Sequence, residues 1–501
     1  QLEVNMTYHE QMRAHLSPSD IRRLLDSCKS LFVRGCEEAK ELVMEALINF
    51  AVLFPELRST ILGTNLIQML EDGGVDNMTL NEHYATLVYL ISKEEECCSN
   101  LVDTGVQKLL MSIQPKIEER GKNLTAATLH NLSSKRPLMG AGVLNTLVGL
   151  ARNCKTIRVL WSARCIANMS DYPRSRAALG KEKKLIPYLT AIMRYGCVEA
   201  DRVQHFCAIA ICNVLATHME RSLVEELIRN ETVKDLVTVT QLRVNSSTTK
   251  LHLGKALFNL LGRAELRQEM VELHVFEALI ELGKNTESVD LLELAVKTVL
   301  NLSCEAHKYS HSLRSLGVPA WLLARVAPSP STQSVRATAA IKAECGQALA
   351  NISFDKHLAV AINAAEKASE ALTALYNLHS DDTSYCVTVS LYNLSKLQNC
   401  DALAASTTLI PLLVDSLTRG PILCIQLAAA TLCNFSLRDP FHDQLTNIAL
   451  SGMIKVIASP TIDISVKLDA VHFLYNLVTA YPPSRIPAVE AGAVASLVKL
   501  V

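Results

Sequence analysis

At 501 residues the chain exceeds what one hydrophobic core can organise, and has room for three ordinary domains or one long array of repeats. Its 19 Gly and 16 Pro are roughly 4% and 3% of the residues, below the usual ~7% and ~5%, and with aromatics at only 5% this argues against an all-β fold and for helices. Lys+Arg 49 against Asp+Glu 50 leaves a net charge of -1, so no overall field holds a polyanion and nucleic acid is disfavoured as the main partner.

The chain opens QLEVNMTYHE, without a basic stretch, an apolar stretch or an initiator Met. It therefore reads as no secretory signal, and further chain is expected upstream. Residues 1–30 are expected to form a helical cap or arm. From residue 31 to 488 one phrase recurs: ALINFA at 46–51, TLVYLIS at 86–92, TLHNLSS at 128–134, CIANMSD at 165–171, AICNVLA at 210–216, ALFNLLG at 256–262, TVLNLSC at 298–304, ALANISF at 348–354, SLYNLSK at 390–396, TLCNFSL at 431–437 and FLYNLVT at 473–479. Its pivot is an asparagine (Asn49, Asn131, Asn168, Asn213, Asn259, Asn301, Asn351, Asn393, Asn434, Asn476), with Tyr89 as the substitute in the second copy. Spacings run from 37 (Asn131 to Asn168) to 50 (Asn301 to Asn351), the period of helical repeats.

The columns two before and one after the pivot are apolar in every copy, and the column three before is small except at Phe473. These offsets lie on one helical stripe, so each phrase predicts an amphipathic helix that presses the same face inward and lets its neighbours approach closely. Between phrases a glycine precedes a short apolar run, as in DTGVQKLLMSI (103–113), GAGVLNTLVGLA (140–151), SLGVPAWLLARV (315–326), ALSGMIKVIAS (449–459) and EAGAVASLVKLV (490–501). Residues 489–501 are expected to start a further repeat that is not completed. Swellings are expected at APSPSTQS (327–334), VNSSTTK (244–250) and EERGKN (118–123).

These residues resemble the armadillo repeat, in which a Gly-aliphatic turn starts a short first helix, a second helix follows and a third carries the small-x-Leu-x-Asn-Leu-Ser stretch. The resemblance implies an all-α fold, a right-handed armadillo-type α-solenoid of about eleven three-helix repeats in one continuous array. It also implies that the third helices line a groove, as in importin-α and β-catenin, where asparagines hydrogen-bond the backbone of an extended peptide. The candidate groove residues are therefore Asn131, Asn168, Asn213, Asn259, Asn301, Asn351, Asn393 and Asn434. Arg164, Lys255 and Lys297, four residues before their pivots, join them and make the middle of the groove mildly positive, suited to acidic extended segments. An alternative stands beside this: a carboxamide both donates and accepts, so the asparagines can instead tie one repeat to the next through backbone near a helix end. Trp161 lies seven before Asn168, the wrong offset for the importin-α sandwich, and Trp321 falls in a first helix, which disfavours basic import cargo.

No phosphate-binding loop, H-E-x-x-H, G-x-S-x-G or Rossmann fingerprint is present, so the chain reads as a non-enzyme without cofactor. Cys304, His307 and His311 could share a helical face but lack a fourth ligand and read as a loop near a helix end; Cys207 and Cys212 read as core beside His205; no metal is expected. The 15 cysteines contain no C-x-x-C pair, which suits a reducing compartment. The sequons Asn131-Leu-Ser133, Asn168-Met-Ser170, Asn301-Leu-Ser303, Asn351-Ile-Ser353, Asn393-Leu-Ser395 and Asn434-Phe-Ser436 are by-products of the phrase, expected unused. The uncharged run 420–437 holds Gln426, Thr431 and Asn434 and is expected not to span a membrane. The reading is a cytoplasmic binding scaffold in a large assembly, by fold analogy a ciliary or axonemal one, with nuclear placement left open. Its rivals are a soluble cargo or signalling adaptor and the substrate-recruiting arm of a larger enzyme.

Overall fold

In the computed structural model of the chain, the described residues are 17–63, 76–138, 141–152, 157–194, 199–217, 220–242, 246–284, 286–328 and 337–500. They form helices and connecting turns, with no strand among them. Each recurring phrase ends a long helix: α1 Glu37–Leu53, α2 Met78–Ser92, α3 Glu119–Ser133, α4 Ile157–Asp171, α5 Ala200–Thr217, α6 Ser247–Leu261, α7 Val289–Ser303, α8 Ala339–Ile352, α9 Asp381–Ser395, α10 Ile422–Ser436 and α11 Ile464–Ala480.

Local chemistry sets the ends of these helices. Asn77, Ser246, Ser288 and Thr338 each accept a backbone N–H with their side-chain oxygen and so start α2, α6, α7 and α8. At the far ends, carbonyls left without a helical partner are taken by donors from the segment that follows. Arg58 Nε reaches Ala51 O at 2.9 Å, Cys98 Sγ reaches Ser92 O at 3.2 Å, Arg176 Nε reaches Ser170 O at 2.5 Å and Arg485 Nε reaches Val478 O at 3.0 Å.

The apolar columns form the core. Leu129, Leu132, Leu257, Leu260, Leu349, Ile352, Leu432 and Phe435 are all fully buried, and each such side chain contributes roughly 1.5–3 kcal/mol relative to exposure. The small column is buried from Thr128 onward, and where it is polar it hides its hydroxyl on its own helix: Thr298 donates to Leu294 O at 2.7 Å and Thr431 to Leu427 O at 2.6 Å.

The chain divides into two compact units, Gln1–Val275 and Phe276–Val501, where the sequence suggests one unbroken array. In the first, α1 to α6 pack side by side in chain order; in the second, α7 to α11 do the same. The helix Pro18–Arg34 precedes α1, opened by a capping box between Ser17 and Asp20, and it runs across the expected cap boundary at residue 30.

Two shorter helices separate most neighbouring long ones, as in Glu95–Asp103 and Val106–Ile113 before α3. The glycine turn stands between these two, not before the first: Gly105, Gly317 and Gly492 adopt φ of 78°, 64° and 88° at the starts of Val106–Ile113, Val318–Val326 and Ala493–Val498. Trp321 accordingly lies in a second helix. Gly142 and Gly452, by contrast, are inside helices Ala141–Ala151 and Leu450–Ala458. The shortest spacing, before Asn168, follows from a single described helix, Ala141–Ala151, between α3 and α4.

Of the expected swellings, 118–123 is no loop: Glu118 caps α3 and the rest is its first turn. Residues 246–250 likewise open α6, while 243–245 and 329–336 lie outside the described residues. The uncharged run around α10 is a 15-residue helix, and no helix among the described residues is long and apolar enough to cross a membrane.

Candidate functional site

The asparagines tie one repeat to the next, as the alternative reading has it, but through a serine hydroxyl and not through backbone. Most donate a side-chain N–H to a serine hydroxyl on the preceding long helix or just past its end: Asn168 to Ser133, Asn213 to Ser170, Asn351 to Ser303, Asn393 to Ser353, Asn434 to Ser395 and Asn476 to Ser436, at 2.9–3.2 Å. The serine is the residue two after the previous pivot. It can accept because its own hydrogen is already spent on the carbonyl three residues back, as in Ser133 to His130 O at 2.7 Å and Ser353 to Ala350 O at 2.6 Å. Each rung is thus a two-step relay from side chain to side chain to backbone. Most of the sequons spell this relay, with the Asn reaching back one helix and the Ser receiving from the next.

The relay corrects the frame of the second copy. Asn131 donates to Ser92 at 3.0 Å, and Ser92 lies two after Leu90, so Leu90 and not Tyr89 holds the pivot place. Lys93 over the Tyr89 ring repeats Lys396 over Tyr392, the residue before Asn393. Asn476, absent from the sequence-based candidates, is a full rung. Asn259 has no hydroxyl to meet, because Leu215 stands two after Asn213. Asn301 is exposed.

The rungs differ in how many partners they hold. Asn131, Asn393, Asn434 and Asn476 make the single serine bond, whereas Asn168 also meets His130 Nδ1 at 3.3 Å and Asn213 also donates to Asp171 Oδ1 at 2.9 Å. Asn393 is the buried one at 8% exposure; the other bonded rungs are half-buried. Pinned from one side, each carboxamide keeps Oδ1 without a partner among the described residues.

A second regularity lies beside the ladder. At three places the residue just before one pivot lies by residues seven or four before the next. His130 stacks on Trp161 with centroids 5.1 Å apart and feels the charge of Arg164; Cys212 lies within the field of Lys255, on the helix turn after His252; Ala350, Cys386 and Val389 form one apolar cluster. Burial and the Arg164 charge push the His130 imidazole down to about 4, and burial lowers His205 and His252 as well.

The three basic candidates are not alike. Arg164 stands over the Phe206 ring at 5.4 Å, and Lys255 is exposed. Lys297 is bonded to Glu293 and lies 3.9 Å from Glu344, so its charge is cancelled locally. Glu344 in turn lines a pocket of ≈ 380 Å³ between α8 and α9, with Gln347, Asn351, Asp382 and the exposed rings of Phe354 and Tyr385. Burial raises the Glu344 carboxyl, and its Oε2 is buried without a hydrogen bond.

Cys304 and His307 line a different pocket with Asn351 and Asp355, and the only three-residue set of metal-ligating atoms brought together among the described residues is elsewhere, at Cys433, Asp469 and His472. Cys207 and Cys212 are buried, and His205 meets His252 edge-on at 5.8 Å.

No family model matches the chain, and no curated protein matches it either. Solved structures do. One from work on the phosphorylation switch between cadherin and beta-catenin superposes with a TM-score of 0.63 at 13% identity, covering 94% of this chain and 96% of that one. UNC-45 from Drosophila melanogaster gives 0.53 at 14%, covering 97% and 70%, and an engineered protein gives 0.55 at 18%, covering 82% and 98%. The fold is the armadillo-type α-solenoid. At such low identity the likeness carries architecture and no partner.

Proposed function

We propose that this chain is a non-catalytic protein-binding scaffold whose long helices receive an extended polypeptide along the asparagine face. The observation that carries the reading is the relay: it fixes each carboxamide from behind and leaves an acceptor oxygen at regular intervals. With helices roughly 8–10 Å apart and an extended chain rising about 3.3 Å per residue, one carboxamide falls to about every third residue of the guest. Asn131, Asn168 and Asn213 serve the first unit, and Asn351, Asn393, Asn434 and Asn476 the second, while Asn259 and Asn301 are unpinned members of the row.

Charge supports an acidic guest on the first unit alone, where Arg164 and Lys255 stand on this face. On the second unit Lys297 is neutralised, so it adds nothing to that preference. Several thiols are buried and raised by that burial, Cys165 and Cys345 to about 12, which suits a reducing compartment such as the cytoplasm. Membership of a large assembly, ciliary or otherwise, rests on analogy between solenoids and draws on no residue of this chain.

The test is fluorescence anisotropy of the full chain with a labelled, unstructured Glu/Asp-rich 15-residue peptide. Saturable binding that weakens with salt and falls about tenfold in Arg164→Glu/Lys255→Glu is expected. Equal binding by the double variant removes the acidic preference. A random peptide library that enriches equally on the wild type and on Asn131→Ala/Asn168→Ala/Asn213→Ala removes the ladder as the docking face.

A further inference from the structure

We propose that Cys433, Asp469 and His472 form a site for a divalent transition metal of the zinc class, held between α10 and α11. Cys433 precedes the Asn434 pivot by one, and Asp469 and His472 precede the Asn476 pivot by seven and four, so they occupy the three corners that meet elsewhere along the long helices. The Asn476–Ser436 bond at 3.2 Å fixes the two helices against each other beside them.

What the corners can do depends on their occupants. In the first unit they hold His130, Trp161 and Arg164, a stacked set; then Cys212, His252 and Lys255, where a cation occupies the third corner and repels a metal. In the second unit they hold Leu300, Glu344 and Gln347 between α7 and α8, with one ligand among the three, and Ala350, Cys386 and Val389 between α8 and α9, an apolar set. Only at α10 and α11, among the described residues, do all three corners carry a ligand.

The three ligand atoms lie within 4.8 Å of one another. Bonds of about 2.0–2.3 Å to a common tetrahedral centre put ligand atoms ~3.3–3.8 Å apart, so closure requires the ligand atoms to approach one another by roughly 1 Å. Cys433 and Asp469 are half-buried and His472 is exposed, which gives an ion access. No lysine or arginine among the described residues forms an ion pair with Asp469. Thiolate and carboxylate together balance a dication; the thiol proton leaves to solvent as the metal–sulfur bond forms. Three protein ligands leave a fourth position for water or for a donor from a bound partner.

The experiment is titration of the full chain with Co²⁺ as the probe, under a non-chelating reductant. A sulfur-to-cobalt charge-transfer band that saturates near one equivalent and is displaced by Zn²⁺ is expected. Cys433→Ser abolishes the band, and Asp469→Asn and His472→Gln each weaken Co²⁺ affinity about tenfold or more. Zn²⁺ raises the Tm of the wild type and not of His472→Gln, whose site is exposed and whose fold is not at risk. The proposal is overturned by the absence of a band in the wild type, by a band that survives Cys433→Ser, by one that disappears instead in Cys304→Ser, the exposed cysteine of the second unit, or by full affinity in His472→Gln.

Discussion

The serine of the phrase does more than its small size suggests. From sequence it reads as a sequon by-product, because nothing in one repeat shows that its hydroxyl receives an amide from the next. The relay makes a definite prediction at the rung where both partners are buried. Ser353→Ala leaves the Asn393 N–H without its 2.9 Å acceptor inside the protein, which costs about 1–3 kcal/mol. Asn301→Ala, at an exposed and unpinned place in the row, costs less than about 0.5 kcal/mol. Urea denaturation of the two variants checks the difference, and equal effects would mean that the hydroxyl of Ser353 carries no load across the helices. The same scale explains why Tyr89 misleads: alignment by residue type favours an amphipathic ring over an aliphatic side chain as the stand-in for asparagine, whereas the hydrogen bond to Ser92 counts residues and selects Leu90.

At the level of elements, the long helices are legible because three buried columns recur at fixed offsets, and a helix is the only element that puts offsets of -3, -2 and +1 on one stripe. The shorter helices are less so. They lack a polar marker such as the asparagine, and the glycine that announces them has two roles which sequence alone does not separate. Gly317 takes φ +64° at the start of Val318–Val326, where an L-residue is strained by about 1–2 kcal/mol. Gly452 lies within Leu450–Ala458, where an added Cβ would meet Val414 Cγ1 at 3.4 Å. Opposite signs follow: Gly317→Ala destabilises by about 1 kcal/mol or more, and Gly452→Ala stabilises by up to about 1 kcal/mol through helix propensity. Paired thermal melts of these variants decide whether the two glycines differ as their backbone angles require. The groove face is legible as a row of amides; its charge is not, because the pairing of Lys297 with Glu344 on the next helix becomes visible only when α7 and α8 are laid together.

Across the whole molecule, the buried histidines of the first unit and the buried carboxyl of Glu344 in the second respond to acid in opposite senses. In the first, His130, His205 and His252 all have imidazoles lowered by burial, so the unfolded chain binds protons that the folded unit refuses. Stability from such groups is complete above the ordinary histidine value near 6.5 and is lost as pH falls toward the folded value, about 4 for His130. For buried His130 that interval corresponds to at most about 3 kcal/mol. Protonation at Nδ1 would also remove the acceptor that faces Asn168. In the second unit, burial raises the Glu344 carboxyl, so there the folded state takes up a proton more readily than the unfolded one and acid relieves a penalty. Hydrogen exchange at pH 7.5 and pH 5, corrected for intrinsic rates, should therefore show α3 to α6 losing protection while α8 to α11 keep theirs. His130→Gln, which cannot gain the proton, should flatten the loss around α3 and α4. Uniform loss across both units, or an unchanged slope in the variant, would assign the acid response to groups other than these histidines.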